Sequence, residues 1–377
     1  MSLGTLISIL TTLVRLLQQL SGLRSKAKPA AGEGAGDRKT GEKKTREEKS
    51  RPKGAPTSPA PSSPVASPSR RPRRVLAGTL GMLFAAGFAG TTAYLVTRQR
   101  QRRAVRRRPV HAPFPEELLD VLAPPGGDGH FFYAGEGLIN IATDAFYPVV
   151  DGIPDFGAPH ASGAQHALEI RRHESAAWVD FYDPLVRGIL VPFVWQGNTT
   201  GEAALAGAVA GEAFDGWCLA VPCGTGALEI EMARANPHAK FLCLDGSWEM
   251  LLEARRRALE AGLANLYFAR GDAELLPLQS GVFDSLWSAN GFHVYPHPEQ
   301  AITELTRVAK PGAIIAGVSL VPGGPPLADT VMRAMSRQLP GLRDVSTHLS
   351  LLTAAGLREM HAFRDGATVR FLGTRAG

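Results

Sequence analysis

Apolar positions are distributed in distinct regimes along the chain. Residues 3–20 (LGTLISILTTLVRLLQQL) are apolar at near-helical spacing, with Arg15 as their only charge. Residues 25–73 hold almost no large apolar side chain, and Val75–Val96 is then an uncharged run of 22 residues. A helical pattern covers about 164 to 214. From Trp217 onward short apolar runs alternate with helical patterns: Trp217–Val221, a helix opening at Ala227, Lys240–Leu244, Leu266–Arg270, a run from Phe283, a helix over 298–309 and Ala313–Ser319. Strand alternating with helix predicts a doubly wound parallel sheet. Helical patterns follow over 324–338 and 346–355, the second stopped by Gly356. Leu357–Phe363 and Thr368–Gly373 predict a closing antiparallel hairpin with Asp365-Gly366 in its turn.

The junctions carry the candidate chemistry. The first apolar run passes through Pro222-Cys223-Gly224-Thr225-Gly226 straight into a helix. Strand, tight turn and helix bring backbone N–H groups against a nucleotide-like ligand, and glycines let that ligand approach the backbone. The second strand ends in Asp245, 19 positions after Gly226, where doubly wound folds grip a ribose diol. The third ends in Gly271-Asp272-Ala273-Glu274, and Lys310-Pro311-Gly312 predicts the turn that opens the fifth.

The pieces VPCGTGAL, LDGSWEMLLEAR, GDAELLPLQSGVFDSLWS and ELTRVAKPGA, in this order over 215–320, resemble the class I S-adenosyl-L-methionine (SAM)-dependent methyltransferases. The likeness is nearest to the broad small-molecule group that includes ubiquinone/menaquinone C-methyltransferases. It implies a seven-stranded Rossmann-like α/β sheet with a helical N-terminal cover over residues 161–377, and SAM as cofactor. The turn Pro222, Cys223, Gly224, Thr225 and Gly226 would lie against the methionine and ribose. Asp245, beside Gly246, would take the ribose hydroxyls, since a carboxylate accepts both O–H groups. Asp272 and the N–H of Ala273 would read the adenine; Leu244, Ser247, Trp248 and Met250 would wall it, with a core role the safer reading of Met250. Tyr182, in a Tyr-Asp pair of the covering helix, would touch the methionine end.

Methyl transfer is an in-line displacement that depends mainly on alignment in a dry pocket. Asn290, His293 and Tyr295 follow the fourth strand and are the candidates for orienting or deprotonating the acceptor. His293 is the candidate general base, against a reading in which it only caps the loop. Two positions depart from the family: Pro222 replaces the first glycine, and Ala220 stands where an acid usually helps hold the ligand's ammonium.

Charge divides the chain. Residues 1–108 hold 23 Lys and Arg against 5 Asp and Glu, whereas 109–377 hold 18 against 30. The acidic body is a poor partner for nucleic-acid phosphates. Cys218, Cys223 and Cys243 fall on expected strands or the turn and imply no disulfide framework. Residues 1–24 read as an apolar or amphipathic helix, 25–74 as a disordered basic linker, and 75–97 as a transmembrane helix, since about 20 apolar residues cross a bilayer core. Residues 98–129 form a basic juxtamembrane linker. Seven arginines after the span against four before it place the C-terminal domain on the cytoplasmic side of a single-pass protein.

Residues 130–160, through Tyr147-Pro148-Val149-Val150-Asp151-Gly152-Ile153-Pro154, resemble the end of a zinc ribbon that precedes some methyltransferases. Asn140 and Thr143 occupy its cysteine positions, which implies a metal-free hairpin. The reading is a methyltransferase acting on a small, lipophilic acceptor at a membrane surface. A catalytically silent membrane scaffold, kept open by Ala220, is one alternative. An RNA or protein methyltransferase is the other, disfavoured by the acidic body and by SANGFH where an NPPY- or DPPY-type loop would stand.

Overall fold

The computed structural model describes residues 112–157, 179–180, 182–212, 215–335 and 339–377. The expected N-terminal helix (1–24), linker (25–74), span (75–97) and residues 98–111 of the basic segment after it lie outside the described residues. No helix among the described residues is long and apolar enough to cross a membrane.

The main sheet has seven strands. They are β5 (Trp217–Ala220), β6 (Lys240–Asp245), β7 (Leu266–Arg270), β8 (Phe283–Ala289), β9 (Ala309–Leu320), β10 (Leu357–Asp365) and β11 (Thr368–Arg375). Their order is β10-β11-β9-β8-β5-β6-β7. Pairings from β7 through β9 are parallel, and β11 runs against both of its neighbours. The order reverses between β5 and β8, the switch point where open α/β sheets leave a crevice at their carboxyl ends.

Alternation along each strand serves both faces. Leu219 and Leu286 pack on one side, Cys218 and Trp287 on the other. Such strands read as continuous apolar runs because helices cover both faces. Those helices are α2 (Thr199–Glu212), α3 (Ala227–Ala235), α4 (Trp248–Glu260), α5 (Pro298–Val308), α6 (Pro326–Ala334) and α7 (Val345–Ala354). Ser247 caps α4 by accepting from the Met250 N–H at 3.4 Å, as an N-cap serine does. Ahead of them α1 (Asp183–Val194) is wound wider than an α-helix, with the Trp195 N–H donating to the Leu190 carbonyl five residues back. Pro192 has no N–H to close a normal turn and its ring crowds the one before it.

Two expected boundaries are corrected. Lys310-Pro311-Gly312 is not a separate turn: β9 starts at Ala309, Gly312 adopts φ +81°, and the register against β8 slips between Phe283 and Ser285. A glycine bulge inside a strand gives the same residue signature as a turn. In the closing hairpin Asp365 pairs with Thr368, so the two-residue loop is Gly366-Ala367 rather than Asp365-Gly366.

Residues 131–154 form an antiparallel meander of β1 (Phe131–Tyr133), β2 (Gly137–Asn140), β3 (Phe146–Val150) and β4 (Ile153–Pro154). Phe131, Leu138 and Phe156 enter the main core, and the Phe156 N–H donates to the Arg270 carbonyl at the edge of β7. Asn140 is buried and its Oδ1 accepts from the Ala142 N–H at 2.9 Å. Among the described residues no cluster of His, Cys, Asp or Glu suits a metal.

Candidate cofactor and acceptor cleft

A cleft of about 240 Å³ opens at the carboxyl ends of β5, β6, β7 and β8 under α1. Its floor is the βα turn after β5. Gly224 adopts φ +54°, and a Cβ there would meet nothing within 4 Å, so the backbone faces open cleft. The Gly224 N–H donates to Asp245 Oδ2 at 2.8 Å, tying the turn to the end of β6. Pro222, Cys223 and Thr225 also line the cleft. Gly226 does not. It adopts φ +70°, and an added Cβ would stand 2.9 Å from the Ala254 Cβ of α4, so its work is close helix packing.

Asp245, Gly246, Asp272 and Ala273 all line the same wall. The Asp245 carboxylate is 8% exposed; its Oδ1 accepts from the Ser247 N–H at 2.9 Å. Burial pushes its pKa up to about 6, against the pull of those N–H groups and of Arg270. Each oxygen still has a lone pair for a ligand hydroxyl. Asp272 Oδ1 accepts from the Glu274 N–H at 2.9 Å, which holds the loop after β7. Leu244, Ser247 and Met250 reach the cleft. Trp248 is not among the lining residues; its ring lies under the Arg270 guanidinium, 5.5 Å from centroid to carbon.

The cover helix is latched to the turn. Thr225 Oγ1 donates to the Asp183 carboxylate at 2.9 Å, and Arg257 of α4 pairs with Asp183 at 2.6 Å. Tyr182 lines the cleft beside this latch, its hydroxyl pKa raised by burial. Ala220, the position expected to be acidic in the family, is fully buried. Besides Asp245, the carboxylates Asp183 and Glu229 line the cleft near the turn. Glu229, in the first turn of α3, is 3% exposed and its pKa is pushed by burial up to about 7. Arg187 also lines the cleft and pairs with Glu202 at 3.0 Å.

Asn290, His293 and Tyr295 line the end beyond β8. Asn290 adopts φ +58° with its N–H donating to the Val318 carbonyl. His293 Nδ1 accepts from the Leu320 N–H at 3.2 Å. A neutral imidazole that accepts at Nδ1 carries its proton on Nε2. Tyr295 is 8% exposed and its hydroxyl has no hydrogen-bond partner among the described residues. Its pKa is raised well above the ordinary value by burial, so it stays a donor. A Cβ on Gly291 would touch both Pro222 Cδ and the Tyr295 hydroxyl at 2.6 Å; Tyr295 therefore sits over the turn rather than out over β9.

Glu229, Arg187 and Trp195 are among the lining residues that sequence reasoning missed. An acid in a first helical turn reads as ordinary dipole complementation, and a tryptophan beside an apolar helix reads as core. The one available signal was position: Glu229 comes three residues after Gly226.

Residues 218–312 match the family model described as a methyltransferase domain. The stretch is thus a methyltransferase domain with SAM as its cofactor. Open space over Gly224, an acceptor carboxylate at Asp245 and an orphaned donor at Tyr295 fit that group. A ubiquinone/menaquinone biosynthesis C-methyltransferase UbiE from Brucella anthropi is 38% identical over 102 residues, 26% of this chain and 38% of the relative. An uncharacterized chloroplastic methyltransferase of Arabidopsis thaliana is 27% identical over 114 residues, 29% of this chain and 32% of the relative. The matches thus span only about a third of these relatives. Among solved structures, the YcgJ protein from Bacillus subtilis aligns at 16% identity with a TM-score of 0.41, over 47% of this chain and 99% of that one. Phosphoethanolamine N-methyltransferase 2 from Haemonchus contortus, in complex with SAM, aligns at 12% identity with a TM-score of 0.47, over 58% of this chain and 61% of that one. Neither structural likeness bears on substrate.

Proposed function

We propose that the protein transfers the SAM methyl group to a small, lipophilic acceptor at a membrane surface. The observation that carries this reading is the Gly224–Asp245 junction, open to the cleft and fixed by the 2.8 Å bond. Bound there, SAM supplies an electrophilic methyl on a sulfonium, and the bond formed to the acceptor replaces the bond to sulfur. Asp245 accepts the ribose hydroxyls, and Asp272 with the Ala273 N–H reads the adenine. Pro222, Cys223 and Thr225 bed the ribose and methionine, with Tyr182 over its end. Glu229 and Asp183 offer the ammonium the negative charge that Ala220 lacks. Asn290, His293 and Tyr295 orient the reacting groups, His293 as a donor.

The anchor reading supports the lipophilic acceptor. Residues 75–97 span the membrane once, the flanking arginines bind anionic lipid, and the catalytic domain faces the cytoplasm. The antiparallel meander is a brace, descended from or resembling a ribbon and requiring no zinc. The scaffold alternative rests on Ala220, and the acidic body speaks against an RNA acceptor.

Isothermal titration of SAM and S-adenosylhomocysteine into the detergent-solubilised full chain tests the reading. Micromolar binding is expected, weakened at least about 100-fold in Asp245→Ala, the scale of losing hydrogen bonds to a charged group. A folded protein that binds neither compound is the silent scaffold.

A further inference from the structure

Arg270, the last residue of β7, is buried behind the cleft wall and is not one of the residues that line it. Strand register sets it beside Asp245, the carboxylate that ends β6. Its Nε donates to the Gly246 carbonyl at 3.0 Å, and its guanidinium lies 5.5 Å from the centre of the Trp248 ring. Gly246 and Trp248 flank Ser247, whose N–H donates to Asp245 Oδ1 and whose hydroxyl caps α4. Arg270 therefore grips the chain on both sides of the residue that orients Asp245.

The guanidinium is itself held from outside the main sheet. Its Nη1 faces Asp155 Oδ2 at 3.5 Å, while Asp155 Oδ1 accepts from the Gly157 N–H at 2.8 Å. Asp155 bridges Arg270 in parallel register, and the Arg270 carbonyl accepts from the Phe156 N–H at 3.0 Å. Asp155 and Phe156 directly follow β4, so the end of the antiparallel meander runs along the edge of β7. A planar fork of donors with a stacking face can serve a carbonyl, a carboxylate and an indole at fixed relative angles; a lysine ammonium, a point charge on a flexible stem, cannot. Buried ion pairs contribute little net stability over apolar packing, so packing alone gives no reason for an arginine here. Its charge acts on Asp245 instead, drawing down the pKa that burial raises. Burial keeps the Cys223 thiol and the Tyr182 and Tyr295 hydroxyls around Asp245 neutral. The Cys223 hydrogen bond lowers the Cys243 pKa, burial raises it more, and that thiol is neutral as well. Asp272 is the second carboxylate of the same wall, and Arg257 of α4 is taken by Asp183 and Glu253.

We propose that Arg270 is a positioning residue for the cofactor: it holds the corner 245–248 in its binding geometry, and the meander holds Arg270 through Asp155, so the meander belongs to the cofactor site without lining it. This rests on the methyltransferase reading above and adds what sets the strength of cofactor binding.

S-adenosylhomocysteine is titrated calorimetrically into the detergent-solubilised full chain and its variants between about pH 5 and about pH 8, the range over which Asp245 ionises. Arg270→Met keeps an apolar stem, removes the fork and the charge, and should weaken binding at least about tenfold, the scale of one charge-assisted hydrogen bond. With that cation gone Asp245 keeps its proton to higher pH, so the rise of affinity with pH should move upward. Asp155→Asn leaves the Arg270 charge unshared, Asp245 ionises more readily, and the rise should move downward. Arg270→Lys restores the charge without the fork; its rise should stay at the parent position while affinity remains below the parent's. Lost packing would lower melting temperatures without moving two profiles in opposite directions. Parent-like affinity in Arg270→Met, or profiles of Arg270→Met and Asp155→Asn that do not part in these directions, overturns the assignment. Should Arg270→Met lose its fold by circular dichroism, Asp155→Asn decides, and an unshifted profile there overturns it. Failure of the parent to bind S-adenosylhomocysteine removes the methyltransferase reading and this assignment together, whereas parent binding that Arg270→Met leaves unchanged removes this assignment alone.

Discussion

Asp245 and Glu229 set the cleft's response to pH. Burial raises them from 3.8 to about 6 and from 4.5 to about 7. The folded protein therefore holds these protons more tightly than the unfolded chain. Their contribution to stability is fullest below about pH 4 and is lost as pH rises through those values. Ribose hydroxyls and an ammonium are held by the ionised forms, so SAM affinity should rise from about pH 5 to about pH 8. Calorimetric titrations across that range would check it, and a flat profile would remove both groups from cofactor binding. The two glycines of the turn separate binding from folding. Gly224→Ala and Gly226→Ala each place a side chain at positive φ, costing about 1–3 kcal/mol. Only the second also strikes Ala254, so thermal melts should show Gly226→Ala as the less stable variant. Gly224→Ala should be the one that loses SAM. Sequence alone treats the pair alike, because a glycine needed for a ligand and one needed for helix packing leave the same letter.

The latch on α1 is the element that commands access to the turn. Asp183 receives both the Thr225 hydroxyl and Arg257, and Arg257 has Glu253 as a second partner at 2.9 Å. Asp183→Ala should therefore leave the fold intact while weakening SAM by about tenfold, the effect of removing one charge-assisted hydrogen bond from a cover. Unchanged affinity with an unchanged melting curve would show that the latch is ornamental. Strands β6 and β7 begin and end where their apolar runs do, since an aspartate or glycine closes each. The start of β9 was illegible because Gly312 bends within the strand. The switch of α1 to a wider winding was equally hidden, since Pro192 announces only that an ordinary helix is interrupted.

For the molecule as a whole, the charge split and the uncharged 75–97 stretch are sequence properties with a direct readout. Deleting residues 75–97 should move the protein from the membrane pellet to the soluble fraction on cell fractionation. A deletion variant that stays in the pellet would transfer the anchoring role to residues 3–20 or to the basic flank. The sheet order was readable as a class from the alternation of strand and helix. The acceptor half of the cleft was not, because Trp195, Leu320 and Leu339 are brought together from three separate parts of the chain. Strand β11 has a consequence for biosynthesis. It is inserted between β9 and β10 and supplies the pairing surface of both. A nascent chain that has exposed everything through β10 still has an unpaired edge on β9 and on β10. Closure of the sheet must wait until β11 has emerged from the ribosome, so β9 and β10 cannot complete their pairing while residues 368–375 are still inside it.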